Sequence, residues 1–81
     1  PQALTLFNSE TTARLSQAFA ERLVAEVGDD PDRQLKRGVQ LAFGRSPDEE
    51  ELKILRDLVA TTSLIEACRA ILNLNEFVYV D

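Results

Sequence analysis

The sequence predicts a small all-α protein, an irregular antiparallel bundle of four main helices joined by short loops. Apolar residues recur at spacings of three and four through four successive segments, a pattern typical of helices that bury one face. Residues that start or stop helices separate these segments. A chain of 81 residues with 44% hydrophobic residues forms one domain with a thin core. The prediction adds a short N-terminal helix and an extended C-terminal tail.

The first main helix is predicted from about Glu10 to Val27. Asn8 or Ser9 offers a side-chain oxygen to the free backbone N–H groups at its start. Gly28 follows the last apolar residue, where a left-handed cap costs little. Residues 1–7, which begin with a proline and are mainly apolar, predict the short preceding helix. The buried face of the main helix is expected to contain Leu15, Phe19, Leu23 and Val27, widened by Ala13, Ala20 and Val24.

The second helix is predicted to open at Asp30-Pro31, with Asp as the cap and Pro in the first helical position. Gly44 ends it. The apolar face of this helix carries Leu35, Val39, Ala42 and Phe43. Gly38 lies at the edge of that face and costs ~1 kcal/mol relative to Ala in a helix interior. We therefore expect a neighbouring helix to approach closely at Gly38.

The third helix is predicted to begin in the acidic stretch after Gly44. Asp48 and Glu51 have the spacing of a capping box, and Ser46 before Pro47 offers a competing start two residues earlier. The three consecutive glutamates at 49–51 would lie at the positive end of the helix dipole. They lack the spacing of a calcium-binding loop, so a cap explains them better than a metal or acid/base site. The expected apolar face consists of Leu52, Ile54, Leu55, Leu58 and Val59.

The last helix is predicted to start near Leu64, because Ser63 and Glu66 form a second box-like pair. Cys68 falls on its apolar face and is expected to be a small buried hydrophobe rather than a reactive thiol. The other members of this face are Leu64, Ile71 and Leu72.

The end of the chain changes character after residue 72. Asn73 and Asn75 are expected to stop the helix. The β-branched and aromatic residues that follow predict an extended tail, with Phe77 or Tyr79 packed onto the helices. A lone strand has no partner in this chain, so it is expected to pair with something outside it.

Composition excludes several classes of protein. The chain has no His and one Cys, which removes Ser-His-Asp and Cys-His catalysis, an internal disulfide and a Cys/His metal site. The formal net charge of −5 argues against nucleic-acid binding, which needs Lys and Arg to neutralise phosphates. No apolar run is long enough to span a bilayer, and no secretory signal opens the sequence. We expect no cofactor.

Three stretches in order resemble a known family. They are PQALTLFN at 1–8, LAFGRSP at 41–47 followed by Glu51, and ILNLNEFVYVD at 71–81. Together they resemble the C-terminal part of a planctomycete-specific domain of unknown function, along the whole chain. The approximate family pattern is P-Q-A-L-x-L-L-N, L-G-R-x-P-T-x-x-E and L-L-N-S-N-E-F-L-Y-V-D. Phe43, Asp48 and Leu74 depart from it, and Asp48 keeps the capping chemistry.

The resemblance implies a context rather than a reaction. Members of the family look like large exported proteins, periplasmic or extracellular, which often carry a cytochrome-c-like module upstream. This chain would then be the C-terminal piece of a larger protein. Asn8 and Glu51 have a structural explanation as caps. Arg45, Asn75 and Glu76 are the best candidates for a binding role, although ending a helix also explains the last two.

Three functions compete. The hypothesis we adopt is a non-catalytic helical module that docks onto upstream domains of the same protein. The docking surface would consist of Leu4, Leu6, Phe77 and Tyr79. The chain by itself is expected to be a monomer or a weak dimer. The second is a fragment of an enzyme acting on extracellular substrates, in which Arg45, Asn75 and Glu76 line a cleft completed by upstream residues. The third is a helix-turn-helix nucleic-acid binder, disfavoured by charge, that would use Arg33, Lys36, Arg37 and Arg45.

Overall fold

The computed structural model describes the backbone of residues 9–80 and the side chains of residues 10–74. Within that part the chain forms four helices and no strand, which confirms the predicted all-α class. The helices are α1 (Ser9–Val27), α2 (Pro31–Phe43), α3 (Glu49–Thr61) and α4 (Leu64–Val80). No helix among residues 9–80 combines the length and the apolar character needed to cross a membrane.

The four helices form an antiparallel arrangement with α2 and α4 in the middle. Each of these two packs against all the other helices, whereas α1 and α3 make no contact with each other within residues 9–80. Asp32 at the start of α2 pairs with Arg56 late in α3, so these two helices run in opposite directions. The connections of two to five residues leave little freedom for any other arrangement.

The predicted caps on both sides of α2 are confirmed. The Asp30 carboxylate accepts a hydrogen bond from the Asp32 N–H at 3.0 Å, and Pro31 occupies the first turn of α2. Gly28 and Gly44 adopt left-handed backbone angles, with φ of 83° and 73°, that an L-residue rarely takes. A cap not predicted from the sequence comes from Gln34, whose buried side-chain amide donates to the Gly28 carbonyl beyond the end of α1.

Gly38 lies where three helices meet. A Cβ at this position would stand 3.3 Å from both Leu23 Cδ1 of α1 and Ile71 Cδ1 of α4, closer than most real Cβ contacts. Leu23 and Ile71 are themselves 0% and 1% exposed. The close approach expected at Gly38 is therefore present, and it involves two neighbouring helices.

The buried face of α1 is rotated from the predicted one. Phe19, Ala20 and Leu23 belong to the core, but Leu15 and Val24 are 42% and 43% exposed. Thr12 and Ser16 are buried in their place. Ser16 remains satisfied because its hydroxyl donates to the Thr12 carbonyl at 2.7 Å, which allows a polar residue to face the neighbouring helix. Ala13 is exposed as well.

The predicted extended C-terminal tail is wrong, because α4 continues to Val80. Asn, Val, Phe and Tyr lie within about 0.7 kcal/mol of Ala in helix propensity, so neither Asn73 nor Asn75 forces an end. The apolar positions 71, 74 and 78 also keep helical spacing. The short N-terminal helix predicted over residues 1–7 lies outside the described residues.

Replacing Gly38 with Leu is expected to lower the free energy of unfolding by about 1–3 kcal/mol, because the larger side chain overpacks an occupied crossing. Gln40→Leu is the matched control, since Gln40 is exposed on the same helix, and its effect should stay within about 0.5 kcal/mol. Denaturant unfolding followed by circular dichroism measures both. Equal stabilities for the two variants would contradict a tight crossing.

Candidate functional site

The connection between α2 and α3 is organised around Arg45 and Glu51. Two guanidinium nitrogens of Arg45 donate to the two carboxylate oxygens of Glu51, each at 2.8 Å. One of these two nitrogens, Nη1, also donates to the Ser46 carbonyl oxygen at 3.1 Å. The Arg45 guanidinium carbon lies 5.6 Å from the centre of the Phe43 ring, within the range of a cation–π contact.

Glu51 also completes the predicted capping box. Its carboxylate accepts from the Asp48 N–H at 3.0 Å, and the Asp48 carboxylate accepts from the Glu51 N–H at 2.8 Å. Asp48 is therefore the cap of α3, and the competing start at Ser46 is not used. The hydrogen bonds from Arg45, followed by that from the Asp48 N–H, lower the pKa of Glu51 from 4.5 to about 2.

These contacts bear on the predicted binding residues. The Arg45 guanidinium is engaged by Glu51, so a bound carboxylate would have to compete with an existing two-bond pair. The side chains of Asn75 and Glu76 lie outside the described residues, as do those of Phe77 and Tyr79. Leu4 and Leu6 lie outside them too. The three-residue binding site and the four-residue docking surface thus stay predictions.

An apolar depression lies beside this connection, between α3 and α4, and we call it the α3–α4 groove. Its volume is about 160 Å³. The side chains of Ile54 and Leu74 on its walls are 62% and 58% exposed. The residues that define it here are Phe43, Ile54, Leu55, Leu58, Ala70 and Leu74. Glu51 also lines it, which places the Arg45–Glu51 pair at the end of the groove.

Sequence reasoning missed this surface. Ile54 was expected in the core with the other residues of the apolar face of α3, but it is exposed. The sequence did contain a signal for this surface, namely the width of the apolar face of α3, which has five apolar residues in eight positions. A face of this width is broader than one neighbouring helix covers. Leu74 was noted only as a departure from the family pattern.

Cys68, the potential metal ligands and the basic residues are the other groups in the described part of the chain that bear on chemistry. Cys68 is fully buried, and burial raises the pKa of its thiol to about 11. No cluster of three potential metal ligands occurs among the described side chains. Two of the four basic residues in the helix-turn-helix hypothesis form ion pairs. Arg37 pairs with Glu26 at 2.7 Å, and Arg45 pairs with Glu51.

Glu51→Gln is expected to flatten the acid dependence of stability. The folded pKa of Glu51, about 2, lies below its ordinary value of 4.5, so its stabilisation is complete above pH 4.5 and is lost as pH falls towards 2. Gln preserves the capping-box hydrogen bond but not the ion pair. Urea unfolding across this pH range measures the change.

The control for this experiment is Glu49→Gln, which removes an exposed charge from the same first turn of α3. It keeps the Arg45–Glu51 pair and should retain the wild-type slope between pH 4.5 and 2. Identical slopes for Glu51→Gln and the wild-type chain would contradict the assignment of the acid-sensitive pair.

The Cys68 thiol is expected to react with a disulfide reagent only as fast as the fold opens. Its burial and raised pKa leave little thiolate accessible in the folded chain. The measurement compares the modification rate in buffer with the rate in denaturant. Similar rates in the two solutions would show that the thiol is accessible and the core assignment wrong.

Comparison with family models matches the greater part of the chain to a known family. Residues 1–59 match the family model of PSD1, described as Protein of unknown function (DUF1553). Searches of curated proteins and of solved structures gave no significant match. The family match includes the Arg45–Glu51 connection and most of the α3 helix. Because it covers more than half of the sequence, the chain belongs to the PSD1 family of proteins of unknown function.

Proposed function

We propose that this chain is a non-catalytic helical module that docks onto upstream domains of a larger exported protein. The observation that carries the proposal is the α3–α4 groove, where Ile54 and Leu74 expose more than half of their side chains. Adjacent exposed apolar side chains around a depression are typical of protein-interaction sites.

The state of the charged groups supports a docking role over a catalytic one. Catalytic residues commonly have pKa values shifted towards neutrality in a cleft. Among the described residues, three carboxylates have shifted pKa values, namely Glu26, Asp32 and Glu51. Each of these pKa values is lowered, because each carboxylate accepts hydrogen bonds from arginine. That shift favours permanent charge and ion pairing, which suits structure rather than proton transfer.

The larger context comes from the family resemblance in residues 1–8, 41–51 and 71–81. It suggests a planctomycete protein, exported to the periplasm or beyond, with a cytochrome-c-like module elsewhere in the polypeptide. In that context the module would complete or orient its neighbours. The predicted docking residues Leu4, Leu6, Phe77 and Tyr79 would extend the contact beyond the groove.

The proposal predicts that the isotope-labelled 81-residue chain binds the separately expressed polypeptide that precedes it in the longer protein. Nuclear magnetic resonance should show shifts confined to one surface, because docking covers a limited apolar patch. An unrelated helical protein of similar charge serves as the control. Spectra unchanged by the upstream polypeptide, or equally changed by the control, would overturn the docking role.

A further inference from the structure

The α3–α4 groove has a length suited to a short helical segment. Along α3 it extends from Glu51 to Leu58, a separation of seven positions or about 10 Å at 1.5 Å per residue. This is the distance between residues i and i+7 of a second helix. A helix with apolar residues at i, i+3 or i+4, and i+7 therefore matches it in length.

The α3 rim of the groove is acidic. Glu50 and Asp57 stand four residues before and three residues after Ile54, so they flank it on the surface of the helix. Both are exposed, and neither carboxylate forms an ion pair with the described part of the chain. Lys53 lies three residues after Glu50 and four before Asp57, beside both on the helix surface. It forms no ion pair with either carboxylate, and this row carries two carboxylates to one ammonium group.

The α4 rim adds a further carboxylate. Glu66, Ala70 and Leu74 are spaced four residues apart and form one row along this helix. Glu66 is paired only loosely, since its carboxylate lies 3.7 Å from the Arg69 guanidinium. Helical spacing thus places carboxylates next to the lining residues Ile54 and Ala70, one on each of the two helices.

We propose that the α3–α4 groove binds an amphipathic helical segment whose aliphatic or aromatic residues are flanked by Lys and Arg. This inference rests on the proposed docking function and specifies the chemistry of the docked element. Apolar residues at helical spacing fill the groove, and the basic residues face Glu50, Asp57 and Glu66. Charge complementarity of this kind selects the partner and accelerates association.

Charge makes a second copy of the chain a poor occupant. Two other exposed aliphatic residues, Val24 and Ile65, line a surface that also includes Glu21. Placing that surface on the groove would bring Glu21 towards Glu50 and Asp57. Like charges facing each other across an interface oppose association, and the chain as a whole carries −5.

The test uses three synthetic helical peptides and the isotope-labelled chain. The first consists of leucine and lysine, with leucines at i, i+3, i+4 and i+7. The second replaces each lysine with glutamate, and the third replaces each leucine with serine. We expect the leucine–lysine peptide to shift resonances of Ile54, Leu58 and Leu74 and to bind more weakly as salt rises. The other two should bind at least about tenfold more weakly.

Matched variants locate the binding. Ile54→Ser should weaken the leucine–lysine peptide about tenfold, whereas Ile65→Ser, which truncates an exposed isoleucine on the other surface, should not. The pair Glu50→Gln with Asp57→Asn should reduce both affinity and salt dependence. The exposed pair Glu10→Gln with Asp29→Asn changes net charge equally and should leave both unchanged. The amide spectrum of each variant verifies its fold.

The outcomes separate this inference from the proposed function. Equal binding of the lysine and glutamate peptides, full binding by Ile54→Ser, or shifts centred on Val24 and Ile65 would each overturn the inference. If the upstream polypeptide docks at another surface, the inference fails and the docking function stands. If the basic peptide fills the groove but the upstream polypeptide shifts nothing, the docking function fails and the groove chemistry stands.

Discussion

The close crossing at Gly38 is the constraint on which the rest of the fold depends. Because Gly38 has no Cβ, α2 lies against Leu23 of α1 and Ile71 of α4 at one level. The ~1 kcal/mol cost of glycine in a helix is small beside the roughly 1.5–3 kcal/mol gained by burying each of those side chains. With α2 and α4 fixed in the middle, α3 is left to pack on their far side, away from α1.

Ion pairs then orient the outer parts of the bundle. Glu26–Arg37 joins α1 to α2, Asp32–Arg56 joins α2 to α3, and Arg45–Glu51 secures the intervening connection. The six side chains are 31–51% exposed, so screening by solvent keeps the contribution of each pair to stability small. Since acidic residues outnumber basic ones, fourteen to nine, pairing leaves carboxylates over. Glu50 and Asp57 are two of them, and helical spacing places both beside Ile54.

Local signals in the sequence predicted the caps on both sides of α2 and at the start of α3, because those features depend on residues close together in the chain. The close approach at Gly38 involves distant residues, Leu23 and Ile71, and it was predicted from the cost of a glycine inside a helix. The capping box at Asp48 and the left-handed cap at Gly44 each involve one turn of backbone. The errors came from tertiary context. Which side of α1 is buried depends on where α4 lies, so the exposure of Leu15 could not be read from spacing alone. The site was harder still, since an exposed and a buried isoleucine look alike in sequence.

The number of neighbouring helices determines how much of a wide apolar face on a helix is buried. A stripe on α2 or α4 is covered from several sides, because each of these helices contacts all the others. α3 contacts only α2 and α4 within the described residues, yet its stripe is as wide as that of a more enclosed helix. Leu55 occupies the covered part of the stripe, and Ile54 remains exposed. That excess of apolar surface, with carboxylates beside it, is the part of α3 that the proposed basic helix would cover.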